Sequence, residues 1–286
     1  MARSDELRLI AKVARMYHEW NMRQKDIADQ LGLSQASVSR LLTRAEKEGI
    51  VRIAVNIPAG VHTALEESLI KTYGLRDAIV VDCISYDDEK TIQREVGQAA
   101  AYYLENVIRE NEVIGLSSWS ATLIAMVDAM HAIPRRSKIK MVQILGGVGT
   151  SSAQVRASYL VSRMAELTGG TAVFLPVPGV VGSEAAHRVL AEDDNVRAVF
   201  DLFPKVTMAL VGIGSVEPST LLAASGNIYS ERELSLLRDN GAVGDILLHF
   251  FGAAGKPLKG ILSSRVISMN LDQLRRVDRS VGIAGG

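Results

Sequence analysis

Four hydroxyls, those of Ser117, Ser118, Ser120 and Thr122, fall within six positions of the stretch "VIGLSSWSATLIAMVDAM", between an apolar run and a pattern with helical spacing. A strand, a turn containing Gly115 and a helix, in that order, make an anion site. The unpaired N–H groups of a first helical turn point outward with the positive end of the helix dipole, and hydroxyls add donors. The stretch matches neither GxxxxGK[ST] nor GxGxxG. Capping of a helix by serines is the alternative use of the same residues. Trp119, in the middle, either covers a ligand or packs into the core, and the core is the better fit.

Other turns carry related chemistry. In "ILGGVGTSSAQVRASYL", Gly146, Gly147 and Gly149 would let a ligand approach the backbone closely, with Gln154 and Arg156 nearby. A third Gly-rich turn follows the apolar run of "ALVGIGSVEPSTLL". In "NGAVGDILLHFFGAAGKPL", Asp245 lies between Gly244 and an apolar run, where an acid could bind sugar hydroxyls or cap a helix.

A different chemistry belongs to "QKDIADQLGLSQASVSRLLTRAEKEGIV", Gln24 to Val51. A helix-turn-helix needs a small residue where its helices meet, a residue that turns the chain, and an apolar set beneath the second helix. Ala28 and Gly32 supply the first two. Ile27, Leu31, Leu33, Val38 and Leu41 supply the third. Ser34 is placed to cap the second helix and Gly49 to end it. Outside the apolar set lie residues able to read base edges in a major groove, for which Gln35, Ser37, Ser39 and Arg40 are the candidates. Arg23, Gln24 and Ser34 flank that face, and Arg23 and Arg44 suit phosphate contacts. Tyr17, Trp20 and Met22 are expected to pack beneath the first helix.

These groups need elements to position them. Helical spacing holds to about Val51. "IVRIAVNIPAG" then reads as a short strand or wing ending in a hinge at Pro58-Ala59-Gly60. Beyond it, helical stretches alternate with the β-rich runs "AIVVDC", "EVIGLS", "IKMVQIL", "TAVFLP", "VTMALVGIG" and "RVISMN". That alternation predicts an α/β fold with a mostly parallel sheet buried on both faces, and ligands at the carboxyl ends of its strands. The domains are expected at residues 1–56 and 57–286.

The chain has 286 residues, 48% of them apolar, enough for one large domain beside a small one. A single cysteine, Cys83, excludes an internal disulfide. With no CxxC or His/Cys cluster, that favours a reducing cytoplasm, no metal and no cofactor. The charged N-terminal stretch does not read as a signal peptide, and no apolar run is long enough to span a membrane. The net charge of zero conceals a mild asymmetry: residues 1–52 carry ten Lys/Arg against seven Asp/Glu, compatible with a nucleic-acid module.

Taken together, "QKDIADQLGLSQASVSRLLTRAEKEGIVRIAV", "VIGLSSWSATL", "GGVG", "LPVPGVV", "VGIGSVEPS", "SGNIYSERELSLLRDNGAVGDILLHFF" and "VGIAGG" resemble the SorC family of bacterial sugar-responsive transcriptional regulators, from about Tyr17 onward. The resemblance implies an N-terminal helix-turn-helix DNA-binding domain and a Rossmann-like effector domain similar to sugar-phosphate isomerases and deaminases. It implies a double-stranded DNA operator, a phosphorylated sugar or polyol effector, and self-association to a dimer or tetramer. It places the phosphate-gripping turn on Gly115 to Thr122, a second loop on Gly146 to Gly149 with Gln154 or Arg156 near the phosphate, and an acidic sugar contact on Asp245. Members of the family normally continue beyond the position of Gly286 into a helix and a Lys-bearing segment. Many also carry Gly near Trp119 or Ser120, so effector choice is expected at Ser118-Trp119-Ser120.

The competing reading is a sugar-phosphate isomerase or deaminase with an added helical domain, which needs paired acid and base groups. The sequence lacks the "DGAD"-like acidic run of the related isomerases, "EDDN" at Glu192 to Asn195 reads as surface helix, and the five histidines show no paired spacing. A regulator with no catalytic residues is therefore expected.

Overall fold

The computed structural model describes residues 3–51, 60–133, 138–226, 229–258, 260 and 262–285. The chain divides into two compact units between Val61 and His62.

In the first unit α1 (Arg3–His18) precedes α2 (Gln24–Leu31) and α3 (Gln35–Lys47). Val13, Met16, Ile27, Ala28, Val38 and Leu42 are buried together, with Leu31, Leu33 and Leu41 half-buried around them. Gly32 turns the chain after α2 at φ 65°, a left-handed conformation that costs a glycine little. Ser34 caps α3, its Oγ accepting the Ser37 N–H at 3.1 Å; such a cap contributes about 1 kcal/mol. Met22 packs on this core as expected, but Tyr17 and Trp20 do not. Trp20 is 55% exposed with the Arg15 guanidinium over its ring, beyond the end of α1 at His18. The strand and hinge expected up to Gly60 fall mainly on residues 52–59, outside the described residues.

In the second unit α4 (Thr63–Tyr73) and α5 (Glu89–Val107) precede β1 (Val113–Leu116), α6 (Ala121–Ala129), β2 (Lys140–Gln143), α7 (Ser151–Thr168) and β3 (Thr171–Val173). Then come α8 (Glu184–Ala191), α9 (Asp194–Phe200), β4 (Met208–Gly212), α10 (Thr220–Ser225) and α11 (Glu231–Asp239). A hairpin of β5 (Ala242–Ile246) and β6 (His249–Gly252), the short α12 (Leu271–Leu274) and β7 (Arg279–Ile283) complete it. The sheet order is β3-β2-β1-β4-β7, every pairing parallel. Alternate residues face opposite layers. Ile114, Leu116, Met141, Met208 and Leu210 pack with α5, α6 and α7, while Val142, Ile144, Ala209 and Val211 face Phe203, Leu247 and Phe250. Both faces are covered by apolar side chains, as a parallel sheet requires. Arg279 donates to the Val107 carbonyl and pairs with the buried Glu112, tying the start of β7 to that of β1.

Three expectations need correction. "AIVVDC" forms no ladder: the Val80 N–H donates instead to the Glu66 carboxylate of α4. "RVISMN" makes only isolated antiparallel bridges, Val266 to Val180 and Ser268 to Leu145, because its backbone divides its hydrogen bonds between two neighbours. The Asp245 loop is the β5–β6 hairpin, so Asp245 caps no helix. The fifth strand, β7, comes from "RSVGI" near the chain end, a segment whose periodicity did not single it out. "EDDN" does lie at the junction of two surface helices, Asp193 capping α9.

Candidate functional site

The strand order reverses between β1 and β4, whose connections leave toward opposite sides of the sheet. A crevice beyond the carboxyl ends of strands at such a point is where open α/β sheets bind ligands. The turn after β1 and the segment Gly212 to Gly214 after β4 meet there. Ser120 caps α6, accepting the Leu123 N–H at 3.2 Å. It lies so close to Gly212 that a Cβ at 212 would stand 2.9 Å from Ser120 Oγ. Among the described residues the N–H groups of Ser118, Trp119, Ser120, Ala121 and Thr122 meet no backbone acceptor. These orphan donors, at the positive end of a nine-residue helix, are what an anionic group would complete. The Ser117 residue is buried, its hydroxyl finds no partner among the described residues, and Thr122 is half-buried in the first turn of α6.

Other expected contacts are spent inside the protein. Ser118 is fully buried; its hydroxyl donates to the Leu145 carbonyl at 2.7 Å and accepts from Gln143 Nε2 at 2.8 Å. Gln143 Oε1 in turn accepts the Leu175 N–H at 3.1 Å. Trp119 is a core residue whose Nε1 donates to the Gly146 carbonyl at 2.8 Å. The Ser118 and Trp119 side chains therefore lock the turn after β1 to the turn after β2 and offer a ligand no polar group of their own, leaving only the backbone N–H groups to face it. The glycines serve the same packing. A Cβ at Gly115 would lie 2.8 Å from Ile144 Cγ2; one at Gly146 would overlap the Pro178 carbonyl, and one at Gly147 the Gln143 amide. Gly149 is half-buried just before the α7 cap, Thr150. Gln154 and Arg156 stand exposed on α7, and Arg156 forms no ion pair among the described residues. Gln143, which joins these turns, escaped notice because nothing in the alternation of its strand marks a buried amide.

Asp245 reaches the same crevice from β5. It exchanges backbone hydrogen bonds of 3.0 Å with Gly214 in both directions, and its Oδ2 accepts the Leu248 N–H at 3.0 Å. The residue as a whole is half-buried, but its carboxylate is enclosed. That burial pushes its pKa up to about 6, against the downward pull of the Leu248 N–H.

In the first unit, α3 turns Val38, Leu42 and Ala45 inward and leaves Gln35, Ser39 and Arg40 exposed, with Ser37 half-buried. Arg40 folds along its own helix, Nε to the Ala36 carbonyl and Nη2 to Ser37 Oγ, both 3.3 Å. Ser34 Oγ and Ser37 Oγ lie 2.8 Å apart, so the Ser34 hydroxyl is occupied by its cap. Arg23 is exposed just before α2 and Gln24 is half-buried as its first residue. Arg44 pairs with Glu6 of α1 and with Glu48 at 2.8 Å. Among the described residues no group of His, Cys, Asp and Glu could hold a metal ion, and no helix is long and apolar enough to cross a membrane.

Residues 58–286 match a family model described as "Putative sugar-binding domain", and residues 21–52 match one for winged helix-turn-helix DNA-binding. The chain is 30% identical over 283 residues to the deoxyribonucleoside regulator of Bacillus subtilis (strain 168), covering 99% of this chain and 88% of that one. It is 30% identical over 288 residues to the erythritol catabolism regulatory protein EryD of Brucella abortus (strain 2308), covering 100% and 89%. The crystal structure of the full-length sorbitol operon regulator SorC from Klebsiella pneumoniae superposes with a TM-score of 0.68 at 27% identity, covering 96% of this chain and 88% of the other.

Proposed function

The chain belongs to the SorC family of sugar-binding transcriptional regulators, and from that premise we propose that it controls a carbohydrate or polyol catabolic operon through an operator affinity set by a phosphorylated sugar or polyol. The observation that carries the DNA half is α3, apolar residues inward and Gln35, Ser39 and Arg40 outward at the start of a capped helix. That is the arrangement in which a recognition helix enters a major groove. The effector half is supported by the orphan N–H groups of α6 at the strand-order reversal, with Ser120 and Asp245 beside the turn after β4. A phosphate would complete the first and sugar hydroxyls the second. The relatives are named for deoxyribonucleosides, erythritol and sorbitol, which fits that ligand class.

Self-association belongs to the same reading. The segment from α4 onward exposes Leu65, Tyr73, Ile79, Ile84 and Tyr86, and α4 buries no residue in the single chain. A second copy laid on this surface would remove it from water and bring two recognition helices to two half-sites. An effector that prefers one arrangement of those subunits over the other would shift operator affinity by about 1–3 kcal/mol for each coupled pair of sites. A cytoplasmic location follows from the DNA partner.

The test is footprinting on DNA upstream of the neighbouring gene cluster, with and without a panel of sugar and polyol phosphates. We expect a protected, roughly palindromic site whose occupancy changes with one phosphorylated compound. No protection would overturn the regulator reading; protection that responds only to unphosphorylated compounds would overturn the phosphate assignment.

A further inference from the structure

Apart from the crevice at the strand-order reversal, the second unit holds a cavity of about 430 Å³ whose lining includes Glu184, His187, Phe200, Phe203, His249 and Ser268. That volume suits a ligand of a few carbons with its first hydration removed. His249 begins β6, and its Nε2 lies 3.0 Å from Ser268 Oγ. Among the described residues its other ring nitrogen, Nδ1, has no partner, although burial keeps the imidazole neutral by pushing its pKa down to about 4. A largely buried ring nitrogen with no partner from the described residues can hydrogen-bond a group that enters the cavity.

The hydrogen bonds around Ser268 define which group. Ser268 Oγ lies 3.1 Å from the Leu247 carbonyl. If its single proton goes there, His249 donates through Nε2 and Nδ1 is an acceptor; if it goes to His249, Nδ1 carries the proton and donates. An alcohol satisfies either arrangement because it both donates and accepts. Among the described residues no Lys or Arg lines the cavity and its one formal charge is the Glu184 carboxylate, a balance that favours an uncharged ligand over a phosphate. Phe200 and Phe203 supply a wall on which the C–H face of a carbohydrate packs.

We propose that this cavity is a second binding site, specific for an uncharged polyhydroxy compound, a free polyol or monosaccharide, and distinct from the site after β1 that takes the phosphorylated effector. The two sites share one element. Asp245 of the first and His249 of the second flank the β5–β6 turn, in which Leu247 and Leu248 hold left-handed φ values of 56° and 64°. Side chains with a Cβ adopt that conformation at a cost, here sustained by burial of both leucines in the core. A ligand at His249 therefore acts on the same tight turn that positions Asp245.

The full chain is titrated with erythritol, ribitol, sorbitol and the free hexoses, following thermal stability and the imidazole nitrogen resonances of its five histidines. At least one compound is expected to raise the melting temperature and to move the His249 Nδ1 resonance. Inorganic phosphate should not displace it. His249→Phe and the milder His249→Gln should each weaken that compound at least tenfold. A stabilising compound that leaves His249 unmoved, or that binds both variants like the parent chain, overturns the proposal, as does a parent chain that binds none of the panel. Because every titrated polyol and sugar is unphosphorylated, inorganic phosphate enters only as a competitor and no DNA is present, these outcomes are independent of the operator test.

Discussion

The carboxylate of Asp245 fills the space that a side chain at Gly214 would occupy: a Cβ built on Gly214 overlaps Asp245 Oδ1, and the two backbones exchange hydrogen bonds of 3.0 Å. The hairpin is thus docked onto the end of β4 through a contact that tolerates only glycine, and the acid is fixed over the crevice.

Gly214→Ala should push the Asp245 carboxylate out of place. The overpacking is expected to cost about 1–3 kcal/mol, read as a lower urea midpoint. Operator binding without effector should persist while the response to effector is lost. An unchanged effector response would show that Asp245 does not contact the ligand.

Asp245 also sets a pH dependence. Its pKa is about 6 in the folded chain, above the ordinary 3.8. Its contribution to stability is therefore fully present below the unfolded value and is lost as pH rises through the folded one. From pH 5 to pH 7 the loss is about 1.4 kcal/mol, one unit of differential protonation. Asp245→Asn keeps an acceptor for the Leu248 N–H and should flatten that part of the stability profile, measured by urea unfolding at both pH values. A variant whose profile parallels the parent chain would contradict the enclosed carboxylate.

The Ser118 hydroxyl joins two turns without facing a ligand. Ser118→Ala leaves the Leu145 carbonyl and the Gln143 amide short of a partner in the interior, at a cost of about 1–3 kcal/mol. Effector affinity, measured by calorimetry at a temperature where the variant is folded, should change by less than threefold. A loss of two orders of magnitude would instead make Ser118 a direct contact.

On the DNA face, Arg40 and Arg44 should separate. Arg40→Ala is expected to cost about 1–3 kcal/mol on the operator and to relax preference at one base pair. Arg44, held by Glu6 and Glu48, is at most a phosphate contact, so Arg44→Ala should weaken operator and random DNA alike and lower the salt slope by about one. Competition binding at several salt concentrations distinguishes them. Equal losses on specific and random DNA for Arg40→Ala would remove it from base readout.

Much of this was legible in the chain. Ile27, Ala28, Gly32, Ser34 and Val38 encode the helix-turn-helix locally, because caps, turns and a 3.6-residue apolar period act within a few residues of one another. The same holds for four of the five strands of the parallel sheet and for the cap at Ser120. The hydroxyls and glycines near the turns were equally visible, but not their direction. Trp119 is expected in the core, but Ser118, Gly146 and Gly147 look like ligand contacts because the same residue types serve close backbone packing. Only the positions of Gln143, Leu145 and Pro178, each brought in from another segment, show that this is their use.

The sequence by itself thus determined two units, a helix-turn-helix and an α/β sheet with an anion-ready turn after β1, since propensity, period and capping are local. Tertiary structure alone decided that Asp245 sits in a hairpin against Gly214, that "RSVGI" closes the sheet beside β4, and that His249 faces a cavity with Ser268. Each depends on segments far apart in the chain, whose meeting is fixed by burial and by the pairing of interior backbone groups; a local period shows which face is buried but not which distant segment will cover it.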